Sequence, residues 1–233
     1  MEYANLIQII KQYLAWEKIK EEKKYNDLLK PDRDNLRLEY DEDAKYYLSQ
    51  GYTQQESLYA DTIISFWMPY KIAIYNETHW MYSKTVKSLE LLLKNINEDK
   101  DGKYNKVNKE FNKFATVCYT PGNYMLLRNR EMNIHRTMFE DRFDETLYNC
   151  FDGGEFNKYF DGEKDLIQWI NEQNLSVFFK DGLIEKRNIK HLFENVEFPY
   201  FIIRNKNIFK YVDQVTQLIE KRNVLINSIE EPK

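Results

Sequence analysis

The chain has 233 residues, enough for a sizeable core, and its 42% hydrophobic and 15% aromatic content argues against a disordered chain even though 31% of the residues are charged. A formal charge of -4 supplies no overall basic field, which disfavours non-specific binding to duplex nucleic acid. The longest apolar runs, such as 63–70, fall far short of the roughly 20 residues of a membrane span.

Seven glycines and five prolines stand beside eighteen tyrosines and fourteen phenylalanines. So few breakers favour long helices over a strand-and-turn sandwich. The expected fold is mainly α, a single helical domain over 1–233 with at most a few short strands at 36–40, 175–184 and 198–203. Cys118 and Cys150 are too few for a disulfide framework and lie in helix-like apolar patterns, so both are expected reduced and buried. Met1-Glu2-Tyr3 opens no secretory signal, and a cytosolic protein without a membrane partner is the simplest expectation.

From Tyr3 to Ile19, apolar residues recur every three or four positions as an amphipathic stripe, with Trp16 slightly off it. The charge-dense run 18–24 reads as a solvated helix end, and Pro31 as the stop of a helix holding Tyr25, Leu28 and Leu29. Leu36 to Tyr40 alternates like a short half-buried strand. Asp41-Glu42-Asp43 suits the start of a short helix, because acids favour the positive end of the dipole, and Gly51 ends it.

Residues 56–75 carry Leu58, Tyr59, Ile63, Phe66, Trp67, Tyr70 and Ile74 at helical spacing, interrupted by Pro69, so the helix should kink or restart near Phe66 to Met68. Trp67 and Tyr70, with Lys71, form either a ligand-facing aromatic corner or the inside of a core helix; an aromatic stripe favours the core. Helices follow with Val86, Leu89, Leu92, Leu93 and Ile96 inside, and with Val107, Phe111, Phe114, Ala115 and Cys118 inside, separated by a polar loop at 97–105. Later stripes place helices around Phe139 to Phe151, after Gly162 with Leu166, Trp169 and Ile170, and from Ile208 to Ile229, the last packing back on the first. A small hairpin fits between Val177 and Ile184, turning at Asp181-Gly182.

The densest stretch is 114–151. Thr120-Pro121-Gly122-Asn123 reads as a turn in which proline sets φ and glycine supplies a positive φ. Arg128, Asn129, Arg130, Asn133, His135 and Arg136 then crowd into nine residues. A rigid turn, three guanidinium groups and a histidine occur together nowhere else in the chain.

Gly122-Asn123-Tyr124-Met125-Leu126-Leu127, followed by Asn133, resembles the Gly-Asn-x-x-Leu-Leu…Asn signature of the His-Asn-His endonuclease domains of type IV modification-dependent restriction enzymes. The resemblance covers about a dozen residues. In that family an upstream Asp-His-Ile triplet carries the catalytic histidine and a divalent metal is held nearby. Here the upstream histidine is His79, preceded by Thr78 rather than aspartate, and Asn133 lies one position later than the family spacing. The resemblance implies a degenerate nuclease or phosphate-binding domain, with His79, Asn133 and His135 as catalytic candidates and the arginines holding phosphate.

Against this stands a non-catalytic interaction or accessory protein with the 120–136 region as its contact surface. Arginine and tyrosine combine area with directional donors and dominate interface hot spots. No GxGxxG, GxxxxGK[ST], HExxH, CxxC pair or GxSxG is present. The interaction reading is therefore preferred. Its binding residues are Trp67, Tyr70, Asn123, Arg128, Arg130 and Arg136, and it needs no metal or cofactor. Its partner is a protein of unknown identity, with nucleic acid not favoured. The composition also suits an AT-rich bacterium or its mobile elements, which associates the chain with bacterial or phage defence and counter-defence.

Overall fold

The computed structural model describes residues 3–75, 85–98, 102, 105–128, 132, 151, 155–179, 184–185 and 205–230. The mainly helical expectation holds there. The helices are α1 (Ala4–Glu22), α2 (Lys30–Tyr40), α3 (Glu42–Ser49), α4 (Gln54–Ser57), α5 (Trp67–Tyr75), α6 (Val86–Asn97), α7 (Asn105–Ala115), α8 (Gly162–Glu172) and α9 (Asn205–Glu230). One two-stranded antiparallel sheet among the described residues joins β1 (Ala60–Thr62) to β2 (Tyr124–Leu126) in the register Ala60 to Leu126, Asp61 to Met125 and Thr62 to Tyr124. No helix among the described residues is long and apolar enough to cross a membrane.

The stripe of α1 buries Leu6, Ile7, Ile9 and Ile10, and α1 packs on α6 and α7. The core centres on an aromatic cluster. Phe66, Tyr70, Phe111 and Phe114 meet with ring centroids 5.1 to 6.3 Å apart, and none is more than 2% exposed. Burying four such rings removes several hundred Å² of apolar surface from water, the dominant favourable contribution to folding. α9 does not pack chiefly on α1: its main contacts are with α5, α7, the turn at 121–123 and the 3-10 turn at 175–178.

Four local expectations are corrected. Leu36 to Tyr40 is helical, being the last half of α2, and Pro31 starts that helix instead of stopping one. Proline is tolerated in a first helical turn because its missing N–H would have no intrahelical partner there, and five alternating residues are too few to outweigh the helix it nucleates. The 56–75 segment breaks into α4, β1 and α5. The β-branched run Thr62-Ile63-Ile64 suits the extended backbone that meets β2, and α5 restarts at Trp67 with Pro69 in its first turn. Leu175–Phe178 is a 3-10 turn, not strand, with Leu175 and Phe178 buried at that helix's three-residue repeat. The remainder of the expected hairpin through 180–183, the helix expected through Phe139 and the strand expected at 198–203 lie outside the described residues.

The 120–127 segment is the structural knot. Pro121–Asn123 forms a single 3-10 turn, and Gly122 does not take the positive φ expected of it; Gly51, Gly102 and Gly162 do. The requirement for glycine is steric. A Cβ at Gly122 would press into the carbonyl of Ile219 on α9 and come within 2.8 Å of the Asn223 side chain. Asn223 accepts the Gly122 amide at 2.6 Å and donates to Thr120 Oγ1 at 2.8 Å. Asn123 completes the knot from within: its Oδ1 accepts from the Ile64 amide at 3.2 Å, and its Nδ2 donates to the carbonyls of Ile64 and Cys118 at 3.1 and 2.8 Å.

The free edge of β2 is closed by side chains. Gln173 accepts the Leu126 amide at 3.0 Å, Trp169 donates to the Leu126 carbonyl at 3.2 Å, and Arg222 takes the Tyr124 carbonyl at 2.5 Å. A two-stranded ribbon is marginal alone, and these contacts supply what a third strand would.

Gly122→Ala is expected to cost about 2 to 3 kcal/mol, roughly 5 to 10 °C in Tm, because one methyl must displace backbone of a packed helix. Gly51→Ala, with φ +86° but open space, should cost only about 1 kcal/mol. Thermal melts of the two variants check this. The reverse order would show that the close approach of α9 does not set the need for glycine at 122.

Candidate functional site

Of the residues singled out by sequence, Trp67, Tyr70, Asn123 and Arg128 are among the described residues, and these four do not line one cleft. Trp67 and Tyr70 lie in the core: Trp67 meets Tyr13 edge-on at 6.3 Å, and the Tyr70 hydroxyl donates to Asn108 Oδ1 at 3.0 Å. Asn123 is fully buried, with both ends of its amide engaged as above. Arg128 is exposed and bridged to Asp165 at 2.5 Å, its guanidinium 5.5 Å from the Phe160 ring centroid. The Asp161 amide, followed by Arg128, holds the Asp165 carboxyl below its ordinary range. His79, Arg130, Asn133, His135 and Arg136 lie outside the described residues. The Gly122-Asn123 pair that carries the endonuclease resemblance is thus committed to packing and backbone hydrogen bonds.

What the fold does build is a cleft of about 300 Å³ on the other side of the knot. Its aromatic wall comes from α1, where Tyr13 and Trp16 face it, and from Tyr40 at the end of α2. Trp16 stacks on Tyr40 with centroids 6.4 Å apart and 22° between planes, and meets Tyr25 edge-on at 5.6 Å. The far wall is the start of α3 together with β1 and residues 64–66, and Cys118, Tyr119 and Asn123 also line it. The residue that pins β1 against the turn, Asn123, therefore also fixes one side of the cleft.

The rim is acidic. Asp41, Glu42, Asp43 and Asp61 line the cleft against one basic residue, Lys45. Each acid has a local reason to be there. Asp41 caps α3, accepting from the amides of Asp43 at 3.1 Å and Ala44 at 3.5 Å, with Arg37 at 3.4 Å beside it. Glu42 and Asp43 sit in the first turn, where the helix dipole favours them, and Glu42 pairs with Lys45 at 3.0 Å. Asp61 accepts from the amide of Thr62 at 2.8 Å. Their field reaches inward: burial, then the Asp43 charge, pushes up both the Cys118 thiol and the Tyr124 phenol. One acceptor is left over. Gln12 Oε1, on a cleft-lining residue, is buried with no hydrogen-bond partner.

The described lining offers aromatic faces and carboxylates around one buried thiol. The Cys118 thiol is held protonated and donates to the Phe114 carbonyl at 3.4 Å, so it is a poor nucleophile. Among the described residues, no three His, Cys, Asp or Glu side chains group as metal ligands.

Sequence reading passed over this site for identifiable reasons. Asp41 to Asp43 was accounted for as a helix start, and Trp16 only as a departure from the apolar stripe. An aromatic residue set off the core face of a helix, followed in the chain by an unusually acidic cap, was the available signal. Compared with known proteins, the chain matches no family model, no curated protein and no solved structure.

Behind the cleft, burial keeps the Tyr47 and Tyr124 phenols and the Cys118 thiol protonated above their ordinary values of 10.0 and 9.0. Above about pH 9 to 10 the folded state thus holds protons that the unfolded chain releases, and stability falls as pH rises. Arg222 has the opposite sign: burial lowers its guanidinium from its ordinary value to about 10, returning stability as pH rises above that point. Two phenols and a thiol outweigh one guanidinium. Denaturant midpoints should hold steady from neutrality to about pH 9 and decline beyond it, with the last phenolate absorbance appearing only on unfolding. Complete tyrosine titration with the fold intact would contradict this burial.

Proposed function

We propose that this protein is a non-catalytic binding protein and that its contact surface is the cleft between α1, α3 and β1. The observation that carries this reading is the aromatic wall facing an acidic rim across about 300 Å³, a concavity at the small end of ligand sites and suited to a compact group or a single side chain. Stacked tyrosine and tryptophan at its edge offer area at low conformational cost, as binding surfaces use them. Four carboxylates at the rim repel phosphate, which weighs against a nucleic-acid ligand there. The knot at 120–127 serves this function indirectly, as the rigid support that keeps one side of the cleft in place. The defence-related setting suggested by composition fits an accessory binder that acts on a protein partner.

Chemical-shift mapping with a chemically diverse fragment set tests the reading. Shifts should concentrate on Trp16, Asp61, Ser65 and Tyr119, and Ser65→Phe, which fills the cleft, should remove them while leaving the Tm within a few degrees. Shifts gathered instead on the Arg128 and Asp165 face, or spread without a centre, would contradict it.

A further inference from the structure

Resting on the cleft being the binding surface, we infer that entry to it is controlled by a lid. The lid is α2 with the 3-10 turn Tyr25–Asp27 before it, and the stack of Tyr40 on Trp16 is its latch.

This segment is weakly anchored. α2 and α7 are both 11 residues long, yet α7 buries Val107, Asn108, Phe111, Phe114 and Ala115, whereas α2 buries Asp34, which pairs with Lys30 one turn before it. No residue of 23–41 belongs to either apolar cluster of the described residues. Leu29, at the N-cap of α2, is 75% exposed. Apolar burial is what ties an element to the stability of the whole fold, so α2 opens at a lower free energy than the helices around the aromatic core.

The segment also has a joint at each end. Lys24 sits at φ +49° and ψ +50°, a left-handed conformation that a residue with a Cβ adopts only at a cost, and opening relieves it. At the other end Asp41 alone, extended at φ −82° and ψ +119°, separates α2 from α3. An 11-residue helix released from its neighbours is too short to keep its hydrogen bonds in water, so opening leaves the α2 amides unprotected.

The latch places the lid over the cleft. α2 packs chiefly on α3, and Arg37 donates to the Leu58 carbonyl at 3.1 Å, just before β1. Toward α1 it reaches with Tyr40, whose ring stacks on Trp16 with centroids 6.4 Å apart. Trp16 is steadied on its own helix by the Lys20 ammonium, 5.6 Å from its ring centroid and tied to Glu17 at 2.6 Å, so Tyr40 is the partner that moves. Tyr40 lines the same cleft as Cys118, which is 2% exposed. Withdrawing Tyr40 removes part of one wall and admits solvent toward the thiol.

Native-state hydrogen exchange on the full chain tests the lid without any substitution, and thiol labelling in a Cys150→Ser background tests its hold on the cleft. The amides of 34–40 should exchange at least about a hundredfold faster, relative to their intrinsic rates, than those of Phe111 and Phe114 in α7. Tyr40→Ala should speed both α2 exchange and Cys118 labelling by the same factor, about three- to tenfold, and leave α7 exchange unchanged. Exchange of α2 in step with α7 overturns the lid. Faster opening of α2 in Tyr40→Ala with Cys118 labelling unchanged overturns it too, because the helix then moves without uncovering the cleft. Neither result touches the cleft as the binding surface, which stands or falls on where the fragment shifts gather.

Discussion

The rest of the structure depends on one buried cation. Arg222, two per cent exposed on α9, donates to the carbonyls of Pro121 at 3.3 Å, Gly122 at 2.8 Å, Tyr124 at 2.5 Å and, twice, Gln173 at 2.9 and 2.7 Å. None of these acceptors is a carboxylate. Burial lowers the guanidinium to about 10, and Tyr47 and Tyr46 beside it act to raise it, so it stays charged at neutral pH. A planar fork of five donors suits a cage of backbone oxygens, and no ammonium could reach four of them at once.

From this contact the architecture propagates in two directions. Toward α8, the shared Gln173 carbonyl links the helix end to the turn, while the Gln173 side chain and Trp169 close the edge of β2. Toward α3, Arg222 lies beside Tyr47 in a set of tyrosines in which Tyr46 stacks on Tyr124 at 4.4 Å and Tyr47 meets Tyr52 at 5.2 Å. α3 is thereby held against the sheet, and with it the acids that form the rim of the cleft. A cleft assembled from α1, α3 and β1 needs such a support, because β1 is three residues long and α4 is a single turn.

How much of this was legible beforehand depends on the range of the interaction. Helices with a strong stripe, such as α1, α6 and α7, are local objects, and the spacing of Leu6, Phe111 or Leu92 was enough to find them. The restart at Trp67 followed from the chemistry of Pro69. The strand at 60–62 was not visible, because the backbone it pairs with lies sixty residues away and its own apolar spacing also fits a helix. Gly122 was rightly marked as special for the wrong reason: the clash that excludes a side chain comes from Ile219, about a hundred positions downstream. Arg222 looked like any charged residue on a helix, since nothing nearby in sequence reveals that its side chain is buried against four backbone carbonyls. The cleft was hidden in the same way, its walls drawn from four separated segments.

The most direct test of this account is the stability of Arg222→Met beside Arg222→Lys. Methionine nearly matches the volume but leaves four carbonyls without a donor, so the account predicts a loss of about 3 to 5 kcal/mol, with lysine recovering less than half of it. Denaturant unfolding measures both. A methionine variant as stable as the parent would mean that hydrophobic packing alone seats α9 on the turn, and that the guanidinium is not what the fold depends on.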